Sequence, residues 1–341
     1  MPTHATIGVF APVLLVLLRF SQGIGVGGEW GGAVLMSVEH APKGRRGFFG
    51  SWPQMGVPAG LFLSTVVFLI VQQTTSDAAF LSWGWRIPFL LSVVLIGIGL
   101  FVRLRLYESP AFQRVKETKT EAPMPLLDVL RKYPREVLLA MGMRIAENGI
   151  FYILTVWVLV YGNEHLELAK STMLWGVVIA ALIGLAAIPA YGALSDRVGR
   201  RPLYLAGAAF SLVFAFPFFW MVNTKTSILI WLAIVLGVNI GHDLMYGPQA
   251  AFFAELFGTR VRYSGASLGY QLASVFAGGF APLVAAALLQ AWGWQAVAVY
   301  MAVMALITVV ATLLATETYQ SDIDADDARE RELVGAGSPA S

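Results

Sequence analysis

Several ionisable side chains lie inside long apolar stretches of this sequence, where a charge at mid-membrane depth costs about 3 kcal/mol or more. Arg144 and Glu147 are three residues apart, a spacing that places both side chains on one face of a helix and allows an ion pair. Glu147 lies about ten residues from the end of its stretch, which is near the middle of a spanning helix. Because burial disfavours an ionised carboxylate, Glu147 fits a reversible proton carrier. The alternative is a permanently ionised pair that only orients the helix.

A second polar group lies in another apolar stretch, between residues 239 and 249. Asp243 is a second candidate proton carrier. The neighbouring His242 either shares that proton or serves only as a hydrogen-bond partner. Pro248 removes a backbone hydrogen bond and predicts a hinge near the end of this stretch.

A short charged segment, GALSDRVGRR at 192–201, separates two long apolar stretches. Two helices must therefore reverse direction within a few residues. A carboxylate just beyond a helix end can accept hydrogen bonds from the positive N-terminus of a neighbouring helix, which is the role predicted for Asp196. The arginines of the segment are predicted to pair with Glu39, Glu108 or Glu255. Such contacts would form a gate latch; the alternative is an ordinary tight turn.

The composition is that of a membrane protein, with 57% apolar and only 13% charged residues, against about 25% charged in an average soluble domain. The sequence has no cysteine, which excludes disulfides and thiol chemistry, and its four histidines have no metal-ligand spacing. No nucleophile–base set or phosphate-binding loop is recognisable, so an enzyme is not expected. A net charge of +2 indicates no nucleic acid partner.

Nine stretches are long enough to cross a bilayer, since a spanning helix needs about 20 apolar residues. They are 7–37, 49–71, 84–104, 137–160, 172–193, 203–222, 227–249, 264–289 and 294–315. Eighteen Lys and Arg residues fall on one side of this arrangement and three on the other. Because basic loops stay in the cytoplasm, the N-terminus is predicted outside and the C-terminus inside.

An internal repeat relates the start of the chain to its end. Glu39 and Glu255 are each followed seven residues later by an arginine, and each is followed by a helix rich in small residues. The first three stretches thus repeat the last three at an offset of 216 residues. The counterpart of Asp196 would lie before Met1, so three helices are expected to be absent at the N-terminus. By the same pseudo-symmetry, Asp196 should cap the second stretch near residues 47–50.

The segment GALSDRVGRR resembles the signature loop of the major facilitator superfamily of secondary transporters. Residues 19–54, GWRIPFLL at 84–91, ESPAF at 108–112, MYGPQAAFFAELF at 245–257 and RYSGASLGYQ at 262–271 resemble its metabolite:proton symporter branch. That branch includes carriers of shikimate, 2-oxoglutarate, citrate and proline or betaine. The resemblance implies proton-coupled uptake of a small polar solute across the bacterial inner membrane. It also implies proton or substrate handling by Arg19; the alternative is a structural arginine paired with a carbonyl or carboxylate across the bundle.

These observations together predict an all-α membrane protein with a major facilitator bundle of nine spanning helices. Residues 1–104 would form a partial N-terminal half equivalent to helices 4–6, 105–136 a cytoplasmic central loop, 137–316 a complete six-helix half, and 317–341 a disordered cytoplasmic tail. The predicted function is symport of a small organic acid or zwitterion by a monomer in the lipid bilayer, with the proton as coupling ion and no other cofactor or metal. A truncated, non-transporting membrane protein is the alternative.

Two sets of residues are predicted to serve this function. The substrate and proton pathway comprises Arg19, Gln22, Gln54, Arg144, Glu147, Asn148, Tyr152, Asn239, His242, Asp243 and Tyr246. The gating loop comprises Gly192, Asp196, Arg197, Gly199, Arg200 and Arg201.

Overall fold

The computed structural model describes residues 4–27, 29–105, 125–257 and 262–320, and within these ranges all regular structure is helical. Nine helices there are long and apolar enough to span a membrane, in agreement with the nine predicted stretches. They are α1 (Phe10–Glu39), α2 (Arg46–Thr74), α3 (Gly84–Val102), α4 (Pro134–His165), α5 (Ser171–Val198), α6 (Arg200–Asn223), α7 (Ser227–Glu255), α8 (Arg262–Trp292) and α9 (Trp294–Leu314).

Shorter helices connect or precede the spans, at His4–Ile7, Asp77–Ser82 and Pro125–Lys132. Three spans contain wider π-helical segments, which are rare and concentrate at functional sites. The π segments are Ile153–Trp157 and Tyr161–His165 in α4, Leu236–His242 in α7, and Ser274–Gly279 in α8.

Two predicted segment boundaries differ from the structure. The central loop predicted at 105–136 contains the helix Pro125–Lys132, and α4 already begins at Pro134, because proline is well suited to the first turn of a helix. The disordered tail predicted from residue 317 begins with residues that make specific contacts, as shown below. Residues 106–124 and 321–341, which hold the rest of these two predictions, lie outside the described ranges.

The charged segment at 192–201 is almost entirely helical. α5 runs through Val198 and α6 begins at Arg200, so Gly199 alone forms the reversal. Its φ of +102° is a backbone conformation that side-chain-bearing residues rarely adopt. The reversal therefore depends on glycine at this position, which explains how two spans turn back over one residue.

The buried core lies among α4 to α9 and is built of large side chains such as Tyr161, Tyr204, Phe218, Phe219, Phe252 and Phe253. α2 packs along α5 and also against α7, which joins the first three spans to the other six. Gly31, Gly265 and Gly269 lie tightly against neighbouring residues. Gly23, Gly27, Gly56 and Gly60 instead face open space within the described chain.

Candidate functional site

The predicted pair on α4 is present and deeply buried. Arg144 Nη1 lies 2.5 Å from Glu147 Oε2, and the two side chains are 4% and 2% exposed. Both belong to the regular helical segment Pro134–Tyr152, where the three-residue spacing brings them onto one face. Arg144 also donates through Nε to Ser274 Oγ on α8, at 3.0 Å.

His242 of α7 connects this pair to a second buried carboxylate. Its Nδ1 lies 2.8 Å from Asp243 Oδ1, and its Nε2 lies 3.1 Å from Glu147 Oε1. Asn239 donates to the other oxygen of Asp243, at 2.7 Å. Asn239 and His242 lie in the π segment, and Asp243 begins the α-helical segment that follows it. The structure thus gathers ionisable residues that are about a hundred positions apart into one cluster.

Gln249 completes the cluster. Its Nε2 donates to Glu147 Oε2 at 2.9 Å and to Tyr204 Oη at 2.8 Å, and its Oε1 accepts from Arg144 Nη1 at 3.0 Å. Neither Gln249 nor Tyr204 was among the predicted pathway residues. The available signal for Gln249 was an amide next to Pro248 in an apolar helix, whereas Tyr204 has no distinguishing sequence feature.

We call Arg144, Glu147, Tyr204, Asn239, His242, Asp243 and Gln249 the buried polar network. It is also contacted from the first two spans. Gln54 of α2 donates to Tyr246 O at 3.3 Å and accepts from Trp30 Nε1 of α1 at 2.7 Å. Trp30 stacks on Tyr270 at a ring separation of 3.6 Å, and the Arg144 guanidinium lies 3.2 Å from the centre of the Tyr270 ring. Gln54 and Tyr246, both predicted, therefore lie at the junction of the two parts of the bundle.

Other predicted pathway residues lie apart from this network. Arg19 and Gln22 are exposed on α1 and hydrogen-bonded to each other, at 3.0 Å. Tyr152 is 39% exposed. Asn148 is buried one turn beyond Arg144, against Gly278 of α8, and its Oδ1 has no hydrogen-bond partner among the described residues. Spacing shows which residues share a face of a helix, but it does not show what that face packs against. The positions of these four residues relative to the network therefore required the structure.

The predicted cap at the start of α2 is present. Asp196 accepts hydrogen bonds from Gly47 N at 2.7 Å and from Phe48 N at 2.9 Å. These amides belong to the first turn of α2, where backbone donors have no intrahelical partner. Arg200 Nη1 pairs with Asp196 at 2.7 Å, and Arg200 Nη2 pairs with Glu255 at 3.2 Å. The Glu255 partner was one of the three predicted for the arginines of this segment.

Around this cap, further contacts form what we call the basic-end cluster, made of Gly47, Asp196, Arg200, Glu255 and Glu317. Glu317 accepts from the backbone amides of Arg200 and Arg201, both at 3.0 Å, and so caps the start of α6. Thr318 Oγ1 donates to Glu255 at 2.7 Å. Residues 317 and 318 are thereby held in place, contrary to the predicted disorder from 317 onward.

The remaining members of the predicted gate differ in their surroundings. Arg201 donates to the carbonyls of Thr312 and Leu313 at the end of α9, and Arg197 is exposed. Gly192 lies against Gly47 and Ser51, where a side chain would collide with α2. Glu39 pairs with Arg262 at 3.7 Å, and Glu108 lies outside the described residues.

A model of the family described as Major Facilitator Superfamily matches residues 3–278. The chain belongs to the major facilitator superfamily. It is 40% identical to the inner membrane metabolite transport protein YhjE of Escherichia coli (strain K12), over 93% of this chain and 73% of that protein. It is also 40% identical to the shikimate transporter of the same organism, over 94% of this chain and 74% of that protein.

More distant relatives agree with this assignment. The proline/betaine transporter of Escherichia coli (strain K12) is 32% identical, over 93% of this chain and 65% of that protein. The solved structure of the proton:xylose symporter XylE bound to 6-bromo-6-deoxy-D-glucose aligns with a TM-score of 0.67 at 18% identity, covering 87% of this chain and 70% of that one. The predicted family and all-helical fold are thus confirmed, and the protein is a transporter of this superfamily.

Proposed function

We propose that this protein catalyses proton-coupled symport of a small organic acid or zwitterion across the bacterial inner membrane, by alternating access. The observation that carries the proposal is the buried polar network, in which two carboxylates and one guanidinium lie in the interior of spanning helices. Groups of this kind are costly inside a membrane and mark ion or substrate pathways. Relatives that are named for shikimate and for proline or betaine support the solute class.

The charge count of the network supports the proton as coupling ion. Glu147 and Asp243 contribute two negative charges and Arg144 one positive charge, so a neutral His242 leaves one negative charge uncompensated. One bound proton makes the cluster electrically neutral. Because a net charge is expensive in a low-dielectric interior, loss of this proton would disfavour the conformation in which the network is buried. Coupling requires such a dependence of conformation on protonation.

The solute is proposed to bind between the first three spans and the other six. A narrow cavity of about 10 Å³, room for roughly one water molecule, lies there and would have to widen to admit the solute. Its lining includes Pro58 and Leu61 of α2, Phe151 and Thr155 of α4, and His242 and Asp243 of α7. Its position beside the network would let solute and proton influence each other directly. The basic-end cluster links α2, α5, α6 and α7 and is proposed to act as the cytoplasmic gate. The protein is proposed to be a monomer with a cytoplasmic C-terminus, and to release its solute chemically unchanged.

Proteoliposomes containing the purified chain test this function. Shikimate and proline are offered under an inward proton gradient, with the outer solution more acidic than the vesicle interior. Solute exchange is measured in parallel without a gradient. A gradient of about one pH unit should support roughly tenfold accumulation of solute if one proton accompanies each solute molecule and no net charge crosses the membrane. A proton uncoupler should abolish accumulation but leave exchange intact. Accumulation that survives the uncoupler and follows sodium would overturn the proton assignment.

Glu147→Gln provides the site-specific arm of this experiment. The variant should lose gradient-driven accumulation while it retains exchange, because the carboxylate that takes part in proton binding is gone. Glu164→Gln serves as the matched control, since Glu164 is exposed at the far end of the same helix. Equal loss of accumulation in both variants would show that the network has no special part in coupling.

A further inference from the structure

The ring of His242 lies between two carboxylate oxygens, one from each neighbouring acidic residue. Asp243 Oδ1 is 2.8 Å from Nδ1, and Glu147 Oε1 is 3.1 Å from Nε2. A neutral imidazole has one N–H and one lone pair, whereas an ionised carboxylate can only accept. With all three groups in these forms, one of the two contacts would set a lone pair against a lone pair. The observed arrangement therefore requires one additional proton.

The remaining oxygens of the two carboxylates indicate where that proton resides. Glu147 Oε2 accepts from Arg144 at 2.5 Å and from Gln249 at 2.9 Å. Asp243 Oδ2 accepts from Asn239 at 2.7 Å. These donors stabilise the ionised form of both carboxylates, because each bond is made to a negatively charged oxygen. The additional proton is then best accommodated on the ring, where it gives two N–H donors for two acceptors.

We propose that His242 holds the coupling proton as an imidazolium, which ties Glu147 of α4 to Asp243 of α7. Loss of this proton leaves a ring that can donate to only one carboxylate. Asp243 is the adjacent residue on the same helix, so the contact that is lost is the one between helices. His242 is the last residue of the π segment Leu236–His242, and the π segment Ile153–Trp157 of α4 begins six residues after Glu147. Proton release would thus loosen α4 from α7 at the end of the π segment of α7.

The groups that face the ring are consistent with a single bound proton. Phe151 and Tyr246 lie against its faces, at ring separations of 4.5 and 4.7 Å, and keep the site apolar apart from the carboxylates. Further titratable or charged groups lie around the two carboxylates and their partners. Arg144 of α4 pairs with Glu147, and Tyr191 of α5 lies near Asp243. Tyr204 of α6 accepts from Gln249, and Tyr270 of α8 lies against the Arg144 guanidinium. Tyrosines are neutral, so among the described residues the cluster with a protonated ring has no net charge.

Nuclear magnetic resonance of the histidine nitrogens tests the assignment directly. The variant His4→Gln/His40→Gln/His165→Gln replaces three exposed residues and leaves His242 as the sole histidine. In liposomes at roughly pH 7.5, about one unit above the ordinary pKa of histidine, an exposed ring would be mainly neutral. We expect two protonated ring nitrogens for His242. One protonated and one unprotonated nitrogen would overturn the proposal.

A second measurement identifies the cause of the protonation. Adding Glu147→Gln and Asp243→Asn to the triple variant should convert the ring to its neutral form, whereas adding Glu164→Gln should not. A ring that stays doubly protonated without the two carboxylates would contradict the bridging arrangement. Glu147→Gln alone supplies the same comparison if the larger combination does not fold.

The role of this proton in coupling rests on the proposed function, but its location does not. A neutral ring together with proton-driven uptake would reject the location and leave the function standing. A doubly protonated ring together with uptake that is insensitive to an uncoupler would reject the function. The two failures are therefore distinguishable.

Discussion

At the scale of single residues, the site depends as much on an uncharged amide as on its charges. Gln249 is fully buried and uses both of its donors and its oxygen to hold Glu147, Tyr204 and Arg144. A hydrophobic residue of similar size would leave those three groups with fewer partners. A buried polar network is stable only when its polar groups have hydrogen-bond partners. The Gln249 amide therefore has a structural role in addition to any functional one.

Gln249→Leu is accordingly expected to destabilise the protein. The loss should be about 1–3 kcal/mol if partners are left unsatisfied, and nearer 0.6 kcal/mol per bond if the membrane environment supplies replacements. The midpoint of thermal unfolding in detergent measures this, with Gln290→Leu as control because Gln290 is exposed. Equal midpoints for the two variants would contradict a structural role for the amide.

At the scale of helices, one glycine and one aspartate determine how three spans meet. Gly199 lets α5 reverse into α6 over one residue, which places Asp196 beside the first turn of α2. The same reversal brings Arg200 between Asp196 and Glu255. The sequence motif predicted the cap and one of the ion pairs. It did not predict Glu317, since its contact with α6 forms only after α9 has packed beside α6.

Replacement of Asp196 tests whether this contact acts as a gate. An asparagine side chain at this position would retain one accepting oxygen and lose the charge, so Asp196→Asn should weaken bonds worth about 1.5–3 kcal/mol. The balance between inward-open and outward-open forms should then shift by roughly tenfold or more. Asp77→Asn, at an exposed position on the opposite end of the bundle, is the matched control.

Distances between introduced labels report this balance. Because the chain has no cysteine, a Lys43→Cys/Val198→Cys pair across the basic end can be labelled uniquely. Asp196→Asn should increase the population with a long distance, and Asp77→Asn should leave it unchanged. An unaltered distribution in the aspartate variant would leave only the tight-turn interpretation.

At the scale of the whole molecule, charge distribution predicts orientation. Eighteen basic residues map to one side of the nine spans and three to the other. Such an asymmetry sets the cytoplasmic side of membrane proteins. The structure places Gly47, Asp196, Arg200 and Glu255 together at the basic side. The orientation of the chain in the membrane therefore also determines the side on which the proposed gate lies.

Labelling in intact cells tests this orientation. A single cysteine from Thr224→Cys, in the short connection between α6 and α7, should react with a membrane-impermeant reagent added outside. A single cysteine from Lys43→Cys should react only after the membrane is opened, and the parent chain, which lacks cysteine, should not react at all. The reverse pattern would place the gate on the outer side.

The features that the sequence patterns predicted correctly are local or statistical in origin. Span number follows from the length of apolar stretches, and the Arg144–Glu147 pair follows from helical periodicity, because both depend only on neighbours along the chain. The cap by Asp196 was also predictable, since an internal repeat supplied the missing spatial relation.

The contacts among the polar residues, in contrast, depend on the packing of the helices. The contact of Glu147 with His242 joins positions 95 residues apart. Tyr204 enters the network through helix packing, by its hydrogen bond with Gln249, rather than through any sequence signal. Arg19 and Gln22 satisfied the same sequence criteria as Glu147 and yet lie on an exposed face. Periodicity specifies the direction of a side chain around its own helix, but the partner on that side depends on how all the helices pack.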